Sequence, residues 1–328
     1  MTDEAGLRAV HVVALPMRVR FRGLTVRELA LVRGPHGWGE FCPFVEYDDA
    51  ESVPWGRCAR ESAALDWPAP VRDTVAVNAT IPAVDPAHAH RIVVESGAAT
   101  AKVKVAEVGG DLAQDQARVE AVRDALGPSG RVRVDANGGW DVDDAVRAIG
   151  RLDRAAGGLE YVEQPCASVA ELAAVRRRVD VPVAADESIR RAADPFRVLA
   201  AEAADVAVLK VAPLGGVRAA LRIAEAIGLP CVVSSAVESS VGLAAGLALA
   251  GALPELPYAC GLGTTSLLDA DVVDRPLVPI DGRLPVLRGP PDPDPLLLDA
   301  HAAPADRRRW WVDRWQRVHA VADDVVRP

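Results

Sequence analysis

The sequence predicts an α/β protein, a (β/α)8-type barrel preceded by a small α+β capping domain. From about residue 74, short apolar strands alternate with helical stretches rich in Ala, Leu, Arg and Glu, at intervals of 23 to 31 residues. Eight such strands fit one closed barrel. Charged residues also lie at the carboxyl ends of several strands, where barrel enzymes build their active sites.

The first segment, residues 1–73, does not follow this repeat and is expected to form the capping domain. Strand-like alternation runs over residues 8–20 and 25–33, and a turn follows at residues 34–37. An acidic stretch that contains Pro and Trp comes next. Because alternation with a period of two indicates half-buried strands, we expect a small sheet here.

The barrel is expected over residues 74–285. Its predicted strands span residues 74–81, 100–105, 131–136, 159–164, 182–187, 205–211, 230–235 and 258–262. Its predicted helices lie near residues 85–96, 111–126, 141–155, 168–178, 190–202, 215–227 and 239–251. Asp141 and Ser168 open two of these helices with side chains that cap free backbone N–H groups. An open doubly wound sheet is the alternative, but no Gly-rich dinucleotide fingerprint follows any strand.

The last segment, residues 286–328, is a predicted tail that packs back against the cap or the barrel. The chain is rich in Pro and Asp from about residue 270, and a Trp- and Arg-rich helix is expected over residues 306–323. Buried tryptophans can dock such a helix onto a protein core. A helix that lies at a membrane interface is the alternative.

Composition restricts the class of protein. The formal charge is −9, and no basic stripe with interleaved aromatic residues occurs, so we expect no nucleic-acid partner. The sequence has neither a signal-peptide pattern nor an apolar stretch of bilayer length, so we expect a cytoplasmic protein without a membrane partner. The five cysteines lack CxxC spacing and are expected to be reduced thiols in the core. An oligomeric partner is not indicated by any pattern.

Lysine is rare in this chain, and its positions are informative. Only three of the 37 basic residues are lysines, namely Lys102, Lys104 and Lys210, and the others are arginines. Arginine stays protonated in proteins, whereas burial or a neighbouring cation lowers the pKa of a lysine far enough for proton transfer. All three lysines take inward-facing positions near the carboxyl ends of predicted strands, so we predict that they are catalytic.

Three carboxylates follow the same pattern. Asp135, Glu163 and Asp186 lie at the ends of consecutive predicted strands and would converge as hard oxygen ligands for Mg²⁺, with Mn²⁺ as a second suitable ion. Lysines on the flanking strands would stand on opposite sides of a metal-bound small-molecule carboxylate. This layout suits removal of a proton next to the carboxylate, because the metal stabilises the enolate. Lys104 is the predicted base, with its pKa lowered by Lys102 and the metal.

These motifs resemble those of the muconate-lactonizing subgroup of the enolase superfamily. Lys102-Val103-Lys104 is similar to the KxK motif of that subgroup, and Lys210 matches its sixth-strand lysine. Three further segments resemble the metal-ligand motifs of the subgroup: Asp135-Ala136-Asn137, Glu163-Gln164-Pro165 and Asp186-Glu187-Ser188. Trp38-Gly39-Glu40 resembles part of the family's capping domain. The resemblance covers about residues 8–285, and it implies the barrel, the cap and the divalent metal.

Two segments, residues 234–243 and 261–264, are similar to those of the o-succinylbenzoate synthase family within this superfamily, with Gly263 in place of an aspartate. Arg133-Val134-Asp135 also resembles the RxD motif of that family. This resemblance implies a syn dehydration of 2-succinyl-6-hydroxy-2,4-cyclohexadiene-1-carboxylate in menaquinone biosynthesis. Lys104 would remove the proton and return it to the departing hydroxyl, and Lys210 would be a cation over the enolate.

Four further residues are candidates for substrate binding: Arg133, Ser234, Ser235 and Gly261. The serines end a predicted strand, where their hydroxyls could bind a carboxylate of the substrate. Ser239 is open to two interpretations, because it could belong to the same binding segment or could cap the next helix.

Two other activities fit the same residues. An N-acylamino acid racemase or dipeptide epimerase of the superfamily would use Lys104 and Lys210 as bases on opposite faces of the substrate. In a Schiff-base aldolase, one barrel lysine would form an imine with a carbonyl substrate, and the carboxylates would orient that lysine. Racemisation needs both lysines and syn dehydration needs one base, so a Lys210 variant distinguishes these two. Borohydride trapping in the absence of metal identifies an aldolase.

Overall fold

The N-terminal part of the chain folds as a sheet with a helix on one face. The computed structural model describes residues 8–21, 23–190 and 194–323. An antiparallel sheet is formed by β1 (Arg8–Phe21), β2 (Leu24–Gly34) and β3 (Gly37–Phe41), and it packs against α1 (Asp49–Ala64). Gly39 allows this close packing, because a Cβ atom there would lie 1.9 Å from the carbonyl oxygen of Ala59. This unit is the predicted α+β cap.

A parallel sheet with helices between its strands follows. After β4 (Thr74–Ala76), the strands of this sheet are β5 (Ala79–Ile81), β6 (Thr100–Lys104), β7 (Arg131–Asp135), β8 (Leu159–Glu163), β9 (Val183–Ala185), β10 (Val206–Lys210) and β11 (Cys231–Ser234). The helices are α2 (Pro86–Ser96), α3 (Leu112–Leu126), α4 (Val142–Ala156), α5 (Val169–Arg176), α6 (Asp194–Ala200), α7 (Val217–Ile227) and α8 (Ser240–Ala252). Each strand pairs with the next along the chain, which confirms the α/β barrel class.

Two of the eight predicted strands differ from expectation. The first is divided, because β4 pairs antiparallel with β12 (Arg283–Pro285) and only β5 belongs to the parallel sheet. The last, at residues 258–262, is reduced to single bridges from Cys260 to Val77 and from Gly261 to Ser234. These bridges still close the barrel between its two edges. Gly261 within the segment and Pro254 and Pro257 before it limit the strand, since proline lacks an N–H donor and glycine orders at an entropic cost.

Helix starts follow the capping residues that the sequence indicates. The Asp141 side chain accepts a hydrogen bond from the backbone N–H of Asp144, and that of Ser168 accepts one from Glu171. Both predicted caps are therefore confirmed. They satisfy N–H groups that have no partner within the helix.

The C-terminal part of the described chain packs onto the cap. It contains α9 (Pro295–Ala300) and α10 (Ala305–Asp323). Trp311 and Trp315 of α10 are buried and meet the ring of Phe41 edge-on, with centroids 5.9 and 5.2 Å away. This is the tryptophan docking that the sequence predicts for this helix. Across the described ranges, no helix combines the length and the apolar character that a membrane span requires.

One large hydrophobic core joins the cap, the barrel and α10, and a smaller cluster that includes Tyr161 and Val208 lies apart from it in the described chain. The five cysteines are free thiols, and all of them are buried. Reduced core cysteines are therefore confirmed for this chain.

Candidate active site

The predicted lysines and carboxylates meet at the carboxyl ends of the barrel strands. In the parallel register, Lys104 of β6 is level with Asp135 of β7, and Asp135 is level with Glu163 of β8. Asp186 comes directly after β9, where the chain turns into a short 3-10 helix. Because alternate residues of a strand share a face, Lys102 points to the same side of the sheet as Lys104.

Two of the lysines bind the first two carboxylates. Lys102 Nζ donates to Asp135 Oδ2 at 3.0 Å and to Glu163 Oε1 at 2.7 Å. Lys104 Nζ donates to the same Asp135 oxygen at 2.6 Å and to Asn137 Oδ1 at 2.5 Å. One ammonium group therefore bridges two carboxylates, and a second shares one of them.

The third lysine binds the third carboxylate. Lys210 Nζ donates to Asp186 Oδ2 at 2.5 Å, and Arg190 lies 3.5 Å from the same oxygen. The lysine and carboxylate side chains of the whole cluster expose 9% or less of their surface. Three ammonium groups thus balance three carboxylates in a site that excludes most water, which strengthens every charge interaction there.

Burial and neighbouring charges move the pKa values of this cluster in different directions. Burial lowers the pKa of Lys104; Asp135 opposes this shift, and Lys102 adds to it. At Lys102 burial acts in the same direction, but Asp135 and Glu163 overcome it and raise the pKa well above its usual range. Burial also raises the pKa of Glu163 to about 7, and repulsion by Asp135 adds to this shift. Lys104 is therefore the lysine of the pair that releases its proton more easily.

The donor set of the cluster fits a hard divalent cation. Within the described residues, no three His, Cys, Asp or Glu side chains are arranged as a metal site, because the lysines bind the carboxylates instead. Asp186 Oδ1 is nevertheless buried without a hydrogen-bond partner in the described chain. An orphaned carboxylate oxygen beside two further buried carboxylates is a suitable ligand group for Mg²⁺, which prefers oxygen ligands.

A small cavity opens over the cluster, and several of its lining residues were not candidates from the sequence. It is lined by the cluster residues Lys102, Lys104, Asp135 and Lys210, by the candidates Ser234, Ser235 and Gly261, and by Phe21, Phe44, Thr80, Asn137, Ala236, Val237 and Thr264. Thr80 is level with Lys102 in the sheet, so strand alternation could have identified it. Phe21 and Phe44 come from the capping part, and no sequence pattern indicates which cap residues reach the barrel.

The candidate serines lie at the cavity wall, where they also have protein partners. Ser235 Oγ shares a short hydrogen bond with Thr264 Oγ1, and Ser234 Oγ lies 3.4 Å from the carbonyl oxygen of Gly261. Ser239 caps α8 by accepting a hydrogen bond from Val241 N, so the capping interpretation applies to this residue.

Arg133 lies in the barrel interior and does not reach the cavity lining found for the described chain. It is fully buried two residues before Asp135 on β7, and its Nε donates to Glu160 Oε2 at 2.5 Å. Its guanidinium carbon lies 4.6 Å from the centroid of the Tyr161 ring. Alternation correctly put this side chain on the inner face of the strand, but depth along the barrel axis separates it from the cavity.

Family models match both parts of the chain. The model described as "Enolase C-terminal domain-like" matches residues 85–290, and the one described as "Enolase N-terminal domain-like" matches residues 12–63. The two matches correspond to the barrel and to the capping sheet with α1.

Curated relatives align over most of the chain. It is 70% identical over 275 residues to the o-succinylbenzoate synthase of Thermobifida fusca. That alignment covers 84% of this chain and 86% of the relative. It is 59% identical to the o-succinylbenzoate synthase of Mycolicibacterium smegmatis, with 96% of each chain covered. The enzyme of that name from Mycobacterium tuberculosis is 58% identical, with coverage of 97% and 96%.

Solved structures share the fold. A substrate-liganded L-Ala-D/L-Glu epimerase from Bacillus subtilis superposes with a TM-score of 0.75 at 25% identity, covering 87% of this chain and 96% of that one. Muconate lactonizing enzyme from Pseudomonas fluorescens gives a TM-score of 0.77 at 24% identity, covering 91% and 99%. At such identities the likeness concerns the architecture.

Proposed function

Because this chain belongs to the enolase superfamily, we propose that it is a lyase that forms o-succinylbenzoate by dehydration. The observation that carries the proposal is the 58–70% identity to several o-succinylbenzoate synthases over most of the chain. The proposed substrate is the cyclohexadiene carboxylate named above, and the proposed setting is menaquinone biosynthesis in the cytoplasm. The cluster of lysines and carboxylates supports this chemistry.

Lys104 is the proposed general base and general acid. The proton next to the substrate carboxylate moves to Lys104 Nζ, and the electrons of the broken C–H bond pass into the carboxylate. The C–O bond to the hydroxyl on the same face then breaks, and Lys104 returns the proton, so that water leaves and the ring becomes aromatic. The lowered pKa of Lys104 and its place at the cavity wall support this role.

Lys210 is proposed to stand as a cation on the opposite side of the substrate. Strands β6 and β10 are four positions apart in the sheet, so their ends lie on opposite walls of an eight-membered barrel. Lys102, whose pKa is raised, stays protonated and balances the charge of Asp135 and Glu163. Two fixed cations thus flank the position at which negative charge develops.

Asp135, Glu163 and Asp186 are proposed to hold the divalent ion that enzymes of the superfamily generally use, with Mg²⁺ as the ion and Mn²⁺ as a substitute. When bound, this ion supplies positive charge to a substrate carboxylate that becomes more negative as the proton leaves. Ser234, Ser235 and Gly261 are proposed to contact the substrate, and their place in the cavity wall supports this.

An absorbance assay for o-succinylbenzoate with purified protein and Mg²⁺ tests the proposal. Wild type is expected to form the product, EDTA to stop the reaction, and Lys104→Ala to lower kcat by about 10²- to 10⁴-fold. Circular dichroism checks that the variant is folded. Product formation that survives Lys104→Ala would overturn the mechanism, and its absence in wild type with Mg²⁺ would overturn the function.

A racemase or epimerase activity is the second candidate, and the similarity to a solved epimerase favours it over an aldolase. Lys210→Ala is expected to retain proton exchange at the substrate through Lys104, because syn dehydration uses one base. Fast racemisation of an N-acylamino acid by a wild type that dehydrates nothing would replace the main proposal.

A further inference from the structure

A strained turn forms one wall of the catalytic cavity. Ala236 and Val237 follow β11 and line the cavity together with the lysines. Val237 has a φ of 63°, in the left-handed region. For a β-branched residue this conformation is unfavourable, and it persists only where the surroundings impose it.

Arg27 of the cap strand β2 holds the carbonyl side of this turn. Its side chain is only 2% exposed. Its Nε donates to the carbonyl oxygen of Val237 at 3.0 Å, and its Nη2 donates to the carbonyl oxygens of Ala236, at 3.3 Å, and of Cys42. The planar guanidinium therefore fixes two successive carbonyl groups of the barrel and one of the cap at the same time.

Carboxylates hold the N–H side. Glu238 Oε2 accepts a hydrogen bond from Ala236 N at 2.7 Å, within the turn itself. Glu40, on the cap strand β3, accepts from the backbone of Ser239 at 3.2 Å, from the Ser239 hydroxyl and from Gly242 N at 3.1 Å. A carboxyl group from the cap thus accepts hydrogen bonds at the N-terminal end of α8, where N–H groups have no partner within the helix.

We propose that Arg27 and Glu40 are positioning residues that shape the Ala236–Val237 wall from the cap, so that docking of the cap sets the affinity for substrate. This inference rests on the proposed function for its kinetic part. Neither residue lines the cavity found in the described chain, so both act through residues that do. Glu40 acts through the turn, and Arg27 acts through the turn and through Phe44, whose ring centroid lies 4.6 Å from its guanidinium carbon. Removing either is expected to change substrate binding more than the proton transfer at Lys104.

The test compares Arg27→Met and Glu40→Gln with Arg307→Met as a matched control. Arg307 binds Glu28, the neighbour of Arg27 on β2, and ties this strand to α10 without contacting the barrel turn.

Arg27→Met is expected to raise KM about tenfold or more with kcat changed less than about threefold, as loss of charge-assisted hydrogen bonds implies. Arg27→Lys should bind substrate more tightly than Arg27→Met, because lysine keeps the positive charge. It should bind less tightly than wild type, because lysine lacks the planar guanidinium that reaches several carbonyl groups at once. Arg307→Met should leave KM unchanged.

Amide hydrogen exchange without substrate gives a second readout that does not depend on activity. Residues 236–242 are expected to exchange faster in Arg27→Met and Glu40→Gln than in wild type and Arg307→Met. Should Arg27→Met fail to fold, the kinetics and the hydrogen exchange are measured on Arg27→Lys, for which we expect smaller effects in the same direction. Unchanged exchange in this segment, or a loss of kcat without a rise in KM, would overturn the inference. If wild type proved inactive, the exchange data would still decide whether the cap holds the turn.

Discussion

At the scale of single residues, Gly261 shows how little space remains around the candidate serines. A Cβ atom at this position would lie 2.5 Å from Ser234 Oγ and 3.2 Å from Ser234 Cβ. Gly261→Ala is therefore expected to lower the free energy of unfolding by about 1–3 kcal/mol, because overpacking strains a filled site. Displacement of the cavity wall should also raise KM. Urea unfolding and steady-state kinetics measure the two effects.

The double variant Ser234→Ala, Gly261→Ala is the control for this prediction. Removal of the hydroxyl relieves the shortest contact, so the double variant should be more stable than Gly261→Ala alone. Such non-additivity is the signature of two residues in contact. If the double variant were no more stable than Gly261→Ala, so that the two substitutions lowered the free energy of unfolding additively, the steric explanation would be contradicted.

Glu40 is expected to make the stability of the protein depend on pH. Burial raises its pKa from 4.5 to about 7; Ser239 opposes this shift, Glu238 adds to it, and Cys42 and Arg27 oppose it more weakly. Between these values the folded protein keeps the proton and the unfolded chain loses it. The free energy of unfolding is therefore expected to fall as the pH rises through this window and to level off above it. Across the whole window, Glu40 is expected to change the free energy of unfolding by on the order of 3 kcal/mol.

Glu40→Gln should remove this pH-dependent component. Urea unfolding of both proteins at several pH values between about 5 and 8 gives the difference in the free energy of unfolding. Glu163 and Glu238, whose pKa values burial also raises, are present in both proteins, so their effects largely cancel in the comparison. A difference between wild type and variant that stays constant across the window would contradict the assignment.

At the scale of elements, local pattern predicted the strands that end in charged residues better than the segment that closes the barrel. Strands β6 and β7 were recognisable because apolar alternation runs directly into Lys104 and Asp135. Residues 258–262 pair only through Cys260 and Gly261, since closure depends on where the two edges of the sheet meet. That position is a property of the whole barrel, and no local pattern encodes it.

The same distinction applies to the site. The lysines were predictable because this chain contains only three, all near strand ends. Phe21 and Val237 were not, because their place at the cavity depends on how the cap docks and on a strained backbone that neighbours impose. Arg133 lies between these cases, because alternation indicated its face and gave no information on its depth.

Helix α10 is predicted to be necessary for the capping core. Trp311 is fully buried, and its Nε1 donates to Glu28 Oε2 at 2.9 Å, while its ring meets Phe41. Trp311→Ala is expected to lower the free energy of unfolding by about 3–5 kcal/mol. The neighbouring Trp310 is only partly buried, so Trp310→Ala should have a clearly smaller effect in the same thermal and urea unfolding experiments. Equal losses for the two variants would contradict the docking seen for this helix.

At the scale of the whole molecule, the cap covers the charged cluster that the barrel assembles. Phe21 of the cap lies over Lys104, the proposed base, with Lys104 Nζ 5.3 Å from the ring centroid. Phe44 lines the same cavity, and Arg27 lies against its ring. Burial, which shifts the pKa of Lys104 downward, therefore comes from the two parts of the chain together. Neither part alone would enclose the cluster.

This enclosed cluster is electrically balanced, with three ammonium groups and three carboxylates, so the protein is expected to fold without metal and to gain stability when metal binds. Mg²⁺ added at about one hundred times its dissociation constant should stabilise the folded state by about 2.7 kcal/mol. A thermal shift titration measures this without reference to activity.

Asp186→Asn should abolish most of the Mg²⁺-dependent shift, because it removes the charge of the carboxylate whose Oδ1 is buried without a partner in the described chain. Glu187→Gln is the adjacent comparison. Glu187 Oε2 is likewise buried without a partner in the described chain, but the Glu187 side chain is 27% exposed and binds Arg190, so the titration of this variant with Mg²⁺ should resemble that of wild type. An equal shift in wild type and Asp186→Asn would exclude Asp186 as a metal ligand. A loss in both variants would instead indicate that the hydrogen bonds of the 3-10 helix, and not one carboxylate, maintain the site.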